Sequence, residues 1–326
     1  MGCRFIWLIA KSALKVNAVA HSKRTLPLLK LLDNFKINEY DLVVAHTLAA
    51  LYPVFSISKN EKRKFAFDVE DFHPGEKIFS DAMNEKLRRE KLLKRMLPFA
   101  TYISGAAPLI SDNIEKLVPG TKVITVLNYF PASEFVEPAD LTSDKLKLVW
   151  FSQNINAGRG LELVLSVWKE VSILFELTLI GKIDTNFYKE WLEMYPSIVV
   201  VNPLTQEALH KDLSLFDIGL AIDVATDDFN RELAITNKIL AYYQAGLYIL
   251  ATDTPAQRDF IERNDSHGMV TPQTPESLLA ALKKMYSIKT ELRGSRGQRF
   301  ANASLSSWEN ESLVIKSEWE KIRQIK

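Results

Sequence analysis

A single cysteine, Cys3, serves all 326 residues, so no internal disulfide can form and neither a zinc site nor a thiol redox pair can be assembled. That usage fits a reducing cytoplasm. Long apolar runs are lacking too: none reaches the roughly 18 residues of a membrane span. The opening MGCRFIWLIAK has about six apolar residues before Lys11, where a secretory core takes roughly 7 to 15. Ile6 stands where a myristoylation signal takes Ser or Thr. Charge of one sign is missing as well. Forty-one Lys and Arg against 40 Asp and Glu leave a net charge of +1, which supplies no broad field for a nucleic acid, so any anion site has to be local. Finally, GxGxxG, Walker A, HExxH, GxSxG and metal-spaced Cys/His clusters are all absent, which removes support for hydride transfer, P-loop hydrolysis and zinc proteolysis. His21, His46, His210 and His267 show no ligand spacing, and no metal is assigned to them.

What is present is an ordinary globular composition, 47% hydrophobic and 25% charged, on a chain long enough for two domains. From about Tyr40, short β-branched runs alternate with amphipathic stretches of ten or more residues, the pattern of βα units in a parallel sheet, so the class is α/β. Strand candidates in the first part are 41–45, 65–68, 101–104 and 123–127; in the second they are 147–151, 177–180, 198–201, 217–222, 248–251 and 268–270. A Pro- and acid-containing stretch, 131–140, reads as a linker, which sets expected boundaries of 1–140, 141–304 and a terminal amphipathic helix within 305–326. A doubly wound half normally holds five or six strands. The second part is complete by that measure, whereas the first is short by about two strands and opens on two helical stretches between residues 3 and 35.

Four segments carry the candidate chemistry. Residues 151–160, Phe-Ser-Gln-Asn-Ile-Asn-Ala-Gly-Arg-Gly, follow a strand and open a helix, where unpaired amides and Arg159 suit a phosphate; a plain βα loop with an exposed Arg is the alternative. Residues 233–246 read as a helix capped by Thr236 or Asn237 and ended by Gly246. Lys238 then lies in its first turn, against the helix dipole, where an anionic ligand or solvent has to account for it. Residues 67–76 crowd four carboxylates and an imidazole into a strand end and loop, raising Glu70, Asp71 and His73 as candidates for a general base, with loop or helix capping as the other explanation. The stretch 85–97 is a helix with a basic side, read as a solvated face over a core stripe or as a peripheral contact with an anionic membrane surface.

Together these pieces resemble the GT-B glycosyltransferases, above all family 4 and its relatives, over about residues 40 to 290. Tyr40-Asp-Leu-Val-Val-Ala-His46 resembles the family strand ending in "aH", and Phe67-Asp-Val-Glu-Asp71 sits where many members read D-x-H-[DE], with Glu70 replacing the His. Val126-Leu-Asn-Tyr-Phe-Pro131 is similar to the element that closes the first domain. Leu148-Val-Trp-Phe-Ser152 with Gly158-Arg-Gly-Leu-Glu162 resembles the G-R-x-x-x-x-(K/R)-K-G loop, which implies that Gly158 and Arg159 contact the donor diphosphate, while Gln153 replaces the first Arg. Residues 204–220 resemble the segment before the family's aDigl strand, and Asn237-Lys238 with Ala245-Gly246 fits the NK variant of the donor site.

Two departures stand out. Ala241 replaces the acidic residue that holds the donor ribose, a loss worth about 1.5 to 3 kcal/mol, leaving Glu232 as the candidate to compensate. The Gly-rich first loop of the family has no counterpart, as an amino-terminally shortened chain would show.

The resemblance implies two Rossmann-like domains facing each other across a cleft, and a metal-independent, retaining hexosyltransferase without a bound cofactor. Its partners would be a UDP- or GDP-linked sugar donor and a glycan or lipid-linked acceptor in polysaccharide biosynthesis, with the protein in the cytoplasm or at the inner face of the membrane. A catalytically degenerate paralogue that binds a sugar nucleotide or glycan, and a sugar-nucleotide epimerase, are the competing functions.

Overall fold

The computed structural model describes residues 13–33, 39–60, 63–224 and 228–324. Cys3 and the readings on the opening segment lie outside the described residues. The chain divides into two compact units: unit 1 takes Met1–Leu127, Asp227–Ala234 and Ser312–Lys326, and unit 2 takes Asn128–Thr226 and Ile235–Glu311.

Unit 1 begins with α1 (residues 13–21) and α2 (Thr25–Asp33), the two helical stretches expected ahead of the first strand. Then β1 (Leu42–Ala45), α3 (Leu48–Asn60), β2 (Lys64–Val69), α4 (Ala82–Met96), β3 (Ile103–Gly105), α5 (Pro108–Leu117) and β4 (Val123–Thr125) alternate. Their four strands form one parallel sheet in the order β1-β2-β3-β4. Phe65, Ala66 and Phe67 of β2 are all buried, the continuous apolar run expected of a strand covered on both faces. Asp68 interrupts that run at the carboxyl end and stands in register beside Ser104.

Unit 2 contains β5 (Leu146–Ile155), α6 (Leu161–Val171), β6 (Phe175–Ile183), α7 (Thr185–Phe187), β7 (Val199–Val201), α8 (Gln206–Asp212) and β8 (Ile218–Ala221). The short α9 (Phe229–Leu233) falls in the segment assigned to unit 1, after which unit 2 continues with α10 (Asn237–Gln244), β9 (Tyr248–Thr252), α11 (Pro255–Arg263), β10 (Gly268–Thr271), α12 (Pro275–Ser287), α13 (Lys289–Gly294) and α14 (Arg296–Ala303). Its six parallel strands run β10-β9-β8-β5-β6-β7. This is the doubly wound order, with its switch point between β5 and β8, where open α/β sheets bind ligands beyond the carboxyl ends of the strands. Helix starts follow local chemistry. Thr254 and Thr274 each accept a bond from the N–H of the third residue on and are followed by Pro at the first helical position. At the switch point, Gly160 has φ 83° and a Cβ there would lie 2.8 Å from Ile222, so only glycine lets the loop turn into α6 this close to the end of β8.

The core of unit 2 holds Trp150, Trp168, Leu146, Leu148, Leu177 and Leu179, all nearly inaccessible. Buried cations fasten its carboxyl-terminal helices. Arg296 donates to the carbonyls of Ala139, Ser214 and Phe216, and Arg299 to those of Gly246 and Leu292. Burial brings the Arg299 guanidinium down to about 10.

The division falls at Leu127 and Asn128, earlier than the expected boundary at 140, because the intervening stretch packs on unit 2. Phe130 exchanges backbone bonds with the Gln244 amide at 2.9 Å in both directions, and the Ala139 N–H donates to the Ser214 carbonyl. The terminal helix α15 (Trp308–Gln324) gives its residues from Ser312 onward to unit 1, where the Trp319 indole donates to the Tyr102 hydroxyl at 2.9 Å and Ile322 packs on Ala66 and Tyr102. No helix among the described residues is long and apolar enough to cross a membrane.

Candidate active site

In unit 2 the carboxyl end of β5 and the amino end of α10 border one cavity of about 370 Å³, walled by Phe130, Phe151, Ile180, Leu204 and Leu209, with Ser152, Gln153, Asn237 and Lys238 on its polar side. Thr236 is the N-cap of α10 in extended conformation, but its Oγ1 is buried and makes no hydrogen bond among the described residues. Gly246, at φ 69°, ends the helix as expected. Lys238 reaches 5.4 Å from the centre of the Trp150 ring, a cation over an aromatic face whose indole N–H has no hydrogen-bond partner among the described residues.

The five candidate anion-binding residues divide here. Gln153, Asn237 and Lys238 line the cavity; Gly158 and Arg159 are not among its walls. Arg159 is tied to it through Ser152, whose Oγ accepts at 3.3 Å, while Asn156 Oδ1 accepts at 3.0 Å and fixes the guanidinium. The Gly158 amide already donates to the Glu162 carboxylate, a residue of the first turn of α6. A negative side chain thus occupies the position at which a phosphate would be drawn to that helix.

At the far wall, His210 is 2% exposed and lines the same cavity. Its Nδ1 lies 2.6 Å from Glu134 Oε2, and the ring stacks on Phe135 at 4.7 Å between centroids, with Phe130 at 4.2 Å. Gln206 Nε2 donates to both oxygens of Glu134. Burial lowers the His210 pKa, although the Glu134 carboxylate pulls the other way. Sequence reasoning gave His210 no role. Its partner lies 76 residues away, so no local spacing announces the pair.

In unit 1 the 67–76 loop does not act as one cluster. Glu70 is half-exposed, its Oε1 3.5 Å from His46 Nδ1, and His46 in turn lies 3.0 Å from Asp68 Oδ2. Ser104 Oγ donates to the other Asp68 oxygen at 2.6 Å. Asp71 accepts from Asn230 Nδ2 at 2.7 Å. His73 turns to Glu76, 3.0 Å away, and its Nε2 is buried with no hydrogen-bond partner among the described residues. Burial raises the Glu76 carboxyl, but the bonds and charges of His73 and Arg89 outweigh it and hold the pKa below its ordinary value. The His46, Asp68 and Glu70 ligand atoms all lie within 4.8 Å of one another. Histidine spacing in the sequence did not bring this group together; the parallel register of β1 and β2 does, by placing Ala45 beside Phe67.

Solved structures of similar fold include glycosyltransferases. The sucrose-phosphate synthase of Thermosynechococcus elongatus matches with a TM-score of 0.74 at 12% identity, over 93% of this chain and 79% of that one. Anabaena HepE in complex with UDP matches at 0.70 and 12%, over 91% and 82%. A glycosyltransferase from Rickettsia africae matches at 0.67 and 13%, over 92% and 80%. The fold is GT-B. No protein-family model matches the chain, and no curated relative does.

Within the GT-B fold the departure at Ala241 has a definite setting: it lies one turn after Asn237 and is wholly buried, so α10 brings no carboxylate to that position. Glu232 sits on α9, in the segment that belongs to unit 1.

Proposed function

We propose that the chain transfers a sugar from a UDP- or GDP-linked donor, bound in unit 2, to a glycan or lipid-linked acceptor. The observation that carries this reading is the cavity at the β5–β8 switch point, which has Lys238 and Asn237 at a helix amino terminus on its polar side and the Arg159 loop attached through Ser152. Breaking the glycosidic bond leaves charge on a diphosphate, and Lys238, Arg159 and the amides at the start of α10 are the groups that would stabilise it. No step of this scheme calls for a bound metal ion. HepE, of the same fold, is seen with UDP-glucose, which supports a nucleotide-sugar donor. On the acceptor side, Glu70, Asp71 and His73 remain the base candidates. Asp71 and His73 have close partners at 2.7 and 3.0 Å, whereas Glu70 stays half-exposed beside His46, which favours Glu70 as the group that takes the acceptor proton.

Calorimetry with a panel of UDP- and GDP-sugars, followed by product analysis, tests the proposal. One donor should bind and yield transferred sugar. Glu70→Ala should keep donor affinity and lose transfer, and full turnover in Glu70→Ala, Asp71→Ala and His73→Ala alike would remove this loop as the base. Binding without turnover would favour a donor-binding paralogue, a reading supported by the buried Ala241 and by the Glu162 carboxylate on the Gly158 amide.

A lipid-linked acceptor would place the protein at the inner membrane face, and α4 carries the supporting surface. Met83 and Leu87, one turn apart on α4, are 72% and 55% exposed, and Phe79 in the bend before the helix is 91% exposed. Arg88 and Arg89 are neutralised by Glu85 and Glu76, but Lys86 and Lys91 have no ion pair among the described residues. Sedimentation with vesicles should show binding to phosphatidylglycerol and not to phosphatidylcholine, reduced in Met83→Asp. Equal recovery with both lipids would remove the membrane contact.

A further inference from the structure

This inference rests on the donor reading above and deepens it by naming the base. The Glu134 carboxylate can only accept, so the His210 nitrogen 2.6 Å from it carries a proton. Burial lowers the His210 pKa and so favours the neutral ring, and a neutral imidazole protonated at Nδ1 leaves Nε2 as a lone-pair acceptor. Nε2 has no partner among the described residues, and the residue lines the cavity while being 98% hidden from bulk water, the complement of its 2% exposure. Phe130 and Phe135 hold the plane of the ring, so it cannot turn away to be satisfied elsewhere. Gln206, also on the cavity wall, has its amino group committed to Glu134, which leaves its carbonyl oxygen, again an acceptor. The remaining walls near it, Ile180, Pro203, Leu204 and Leu209, are apolar and suit a flat ring.

We propose that His210 reads the nucleobase of the donor by accepting a hydrogen bond at Nε2 from a ring N–H, so that the cavity selects uracil- or guanine-type bases over cytosine and adenine. Uracil at N3 and guanine at N1 carry this proton on the ring. Cytosine N3 and adenine N1 present a lone pair to the same place, and two facing lone pairs leave both groups unsatisfied. Glu134 is the positioning residue that fixes the His210 tautomer, with Gln206 bracing it.

The test is calorimetry on the full chain with UDP, CDP, GDP, ADP and the ring-N-methylated diphosphates, 3-methyl-UDP and 1-methyl-GDP. The wild-type protein should bind UDP or GDP roughly ten- to a hundred-fold more tightly than its amino-bearing counterpart and its N-methylated form. In His210→Ala that ratio should fall toward one, while the diphosphate contribution, carried by Lys238, persists. The two arms decide between the sources: UDP over CDP marks a uracil reader, GDP over ADP a guanine reader. The methylated nucleotides need no variant, so they decide the matter even if His210→Ala does not fold. Wild-type affinities that are equal for a diphosphate and its N-methylated form, or a His210→Ala protein that keeps the full ratio, would overturn the assignment while leaving the donor reading intact. Failure of every nucleotide to bind would remove the donor reading and this inference with it.

Discussion

Lys238→Ala is expected to weaken binding of the nucleotide-sugar donor by about ten- to a hundred-fold, the effect of removing a charge-assisted contact worth about 1.5–3 kcal/mol. The same substitution should leave the melting temperature almost unchanged. A cation in the first turn of α10 opposes the helix dipole at a cost of about 0.3–1 kcal/mol, and its position 5.4 Å over the Trp150 ring returns a similar amount. The dipole and the aromatic face thus roughly offset one another, and a ligand anion at the start of α10 would add a favourable contact. Titration of the variant and the wild type with the same donor, beside thermal unfolding of both, separates the two effects. Equal affinities would show that the phosphates bind elsewhere. A large drop in melting temperature would show that the lysine serves the fold.

The largest stability effect is expected at Asp217, far from any proposed ligand contact. This carboxylate is 0% exposed, accepts from Arg293 Nε at 2.9 Å and Nη2 at 3.0 Å, and takes the Lys147 N–H at 2.8 Å. It thereby joins the starts of β5 and β8 to α13. Arg293 is held further by the carbonyls of Ser143 and Lys145, and the Asp217 bond raises its pKa, so the cation persists at all ordinary pH. Asp217→Ala strands a charge and a backbone N–H, and removing one member of such a buried pair costs about 3–5 kcal/mol. For a protein of this size that corresponds to a fall of about 6–20 °C in the unfolding midpoint of unit 2. Asp217→Asn, which keeps the acceptor oxygen, should lose less. A loss below about 1 kcal/mol in the alanine variant would mean that Arg293 is satisfied by the carbonyls alone.

Much of the fold could be read from local pattern. The six strands of unit 2 and the four of unit 1 lie close to the apolar runs that announced them, because strands of a parallel sheet are rich in β-branched and other apolar residues and are bounded by turn residues. Of the two cap candidates, Thr236 takes the N-cap position of α10 without a side-chain bond and Asn237 is the first helical residue, while Gly246 ends the helix at positive φ as read. The terminal helix was legible from its apolar spacing. The linker was harder. Residues 131–140 lack periodicity, and only the bonds of Phe130, Glu134 and Ala139 to Gln244, His210 and Ser214 reveal that this stretch belongs to unit 2.

The candidate sites show the same division. Residue type and a nearby strand end were enough to single out Lys238, Asn237 and the Glu70 loop, because helix amino termini and carboxylate clusters have signatures within a few residues. They could not show that Glu70 stands with His46, that Asp71 and His73 are engaged by Asn230 and Glu76, or that Glu162 sits on the Gly158 amide.

The sequence by itself determined the class of fold, the order of its elements and the helix that carries Lys238, since each depends on hydrophobic period and on single capping residues. Only the tertiary structure decided which distant groups meet. The pairing of Glu134 with His210 and of Asp68 with His46 comes from packed loops and strand register, and hydrogen bonds across such separations leave no trace in local spacing.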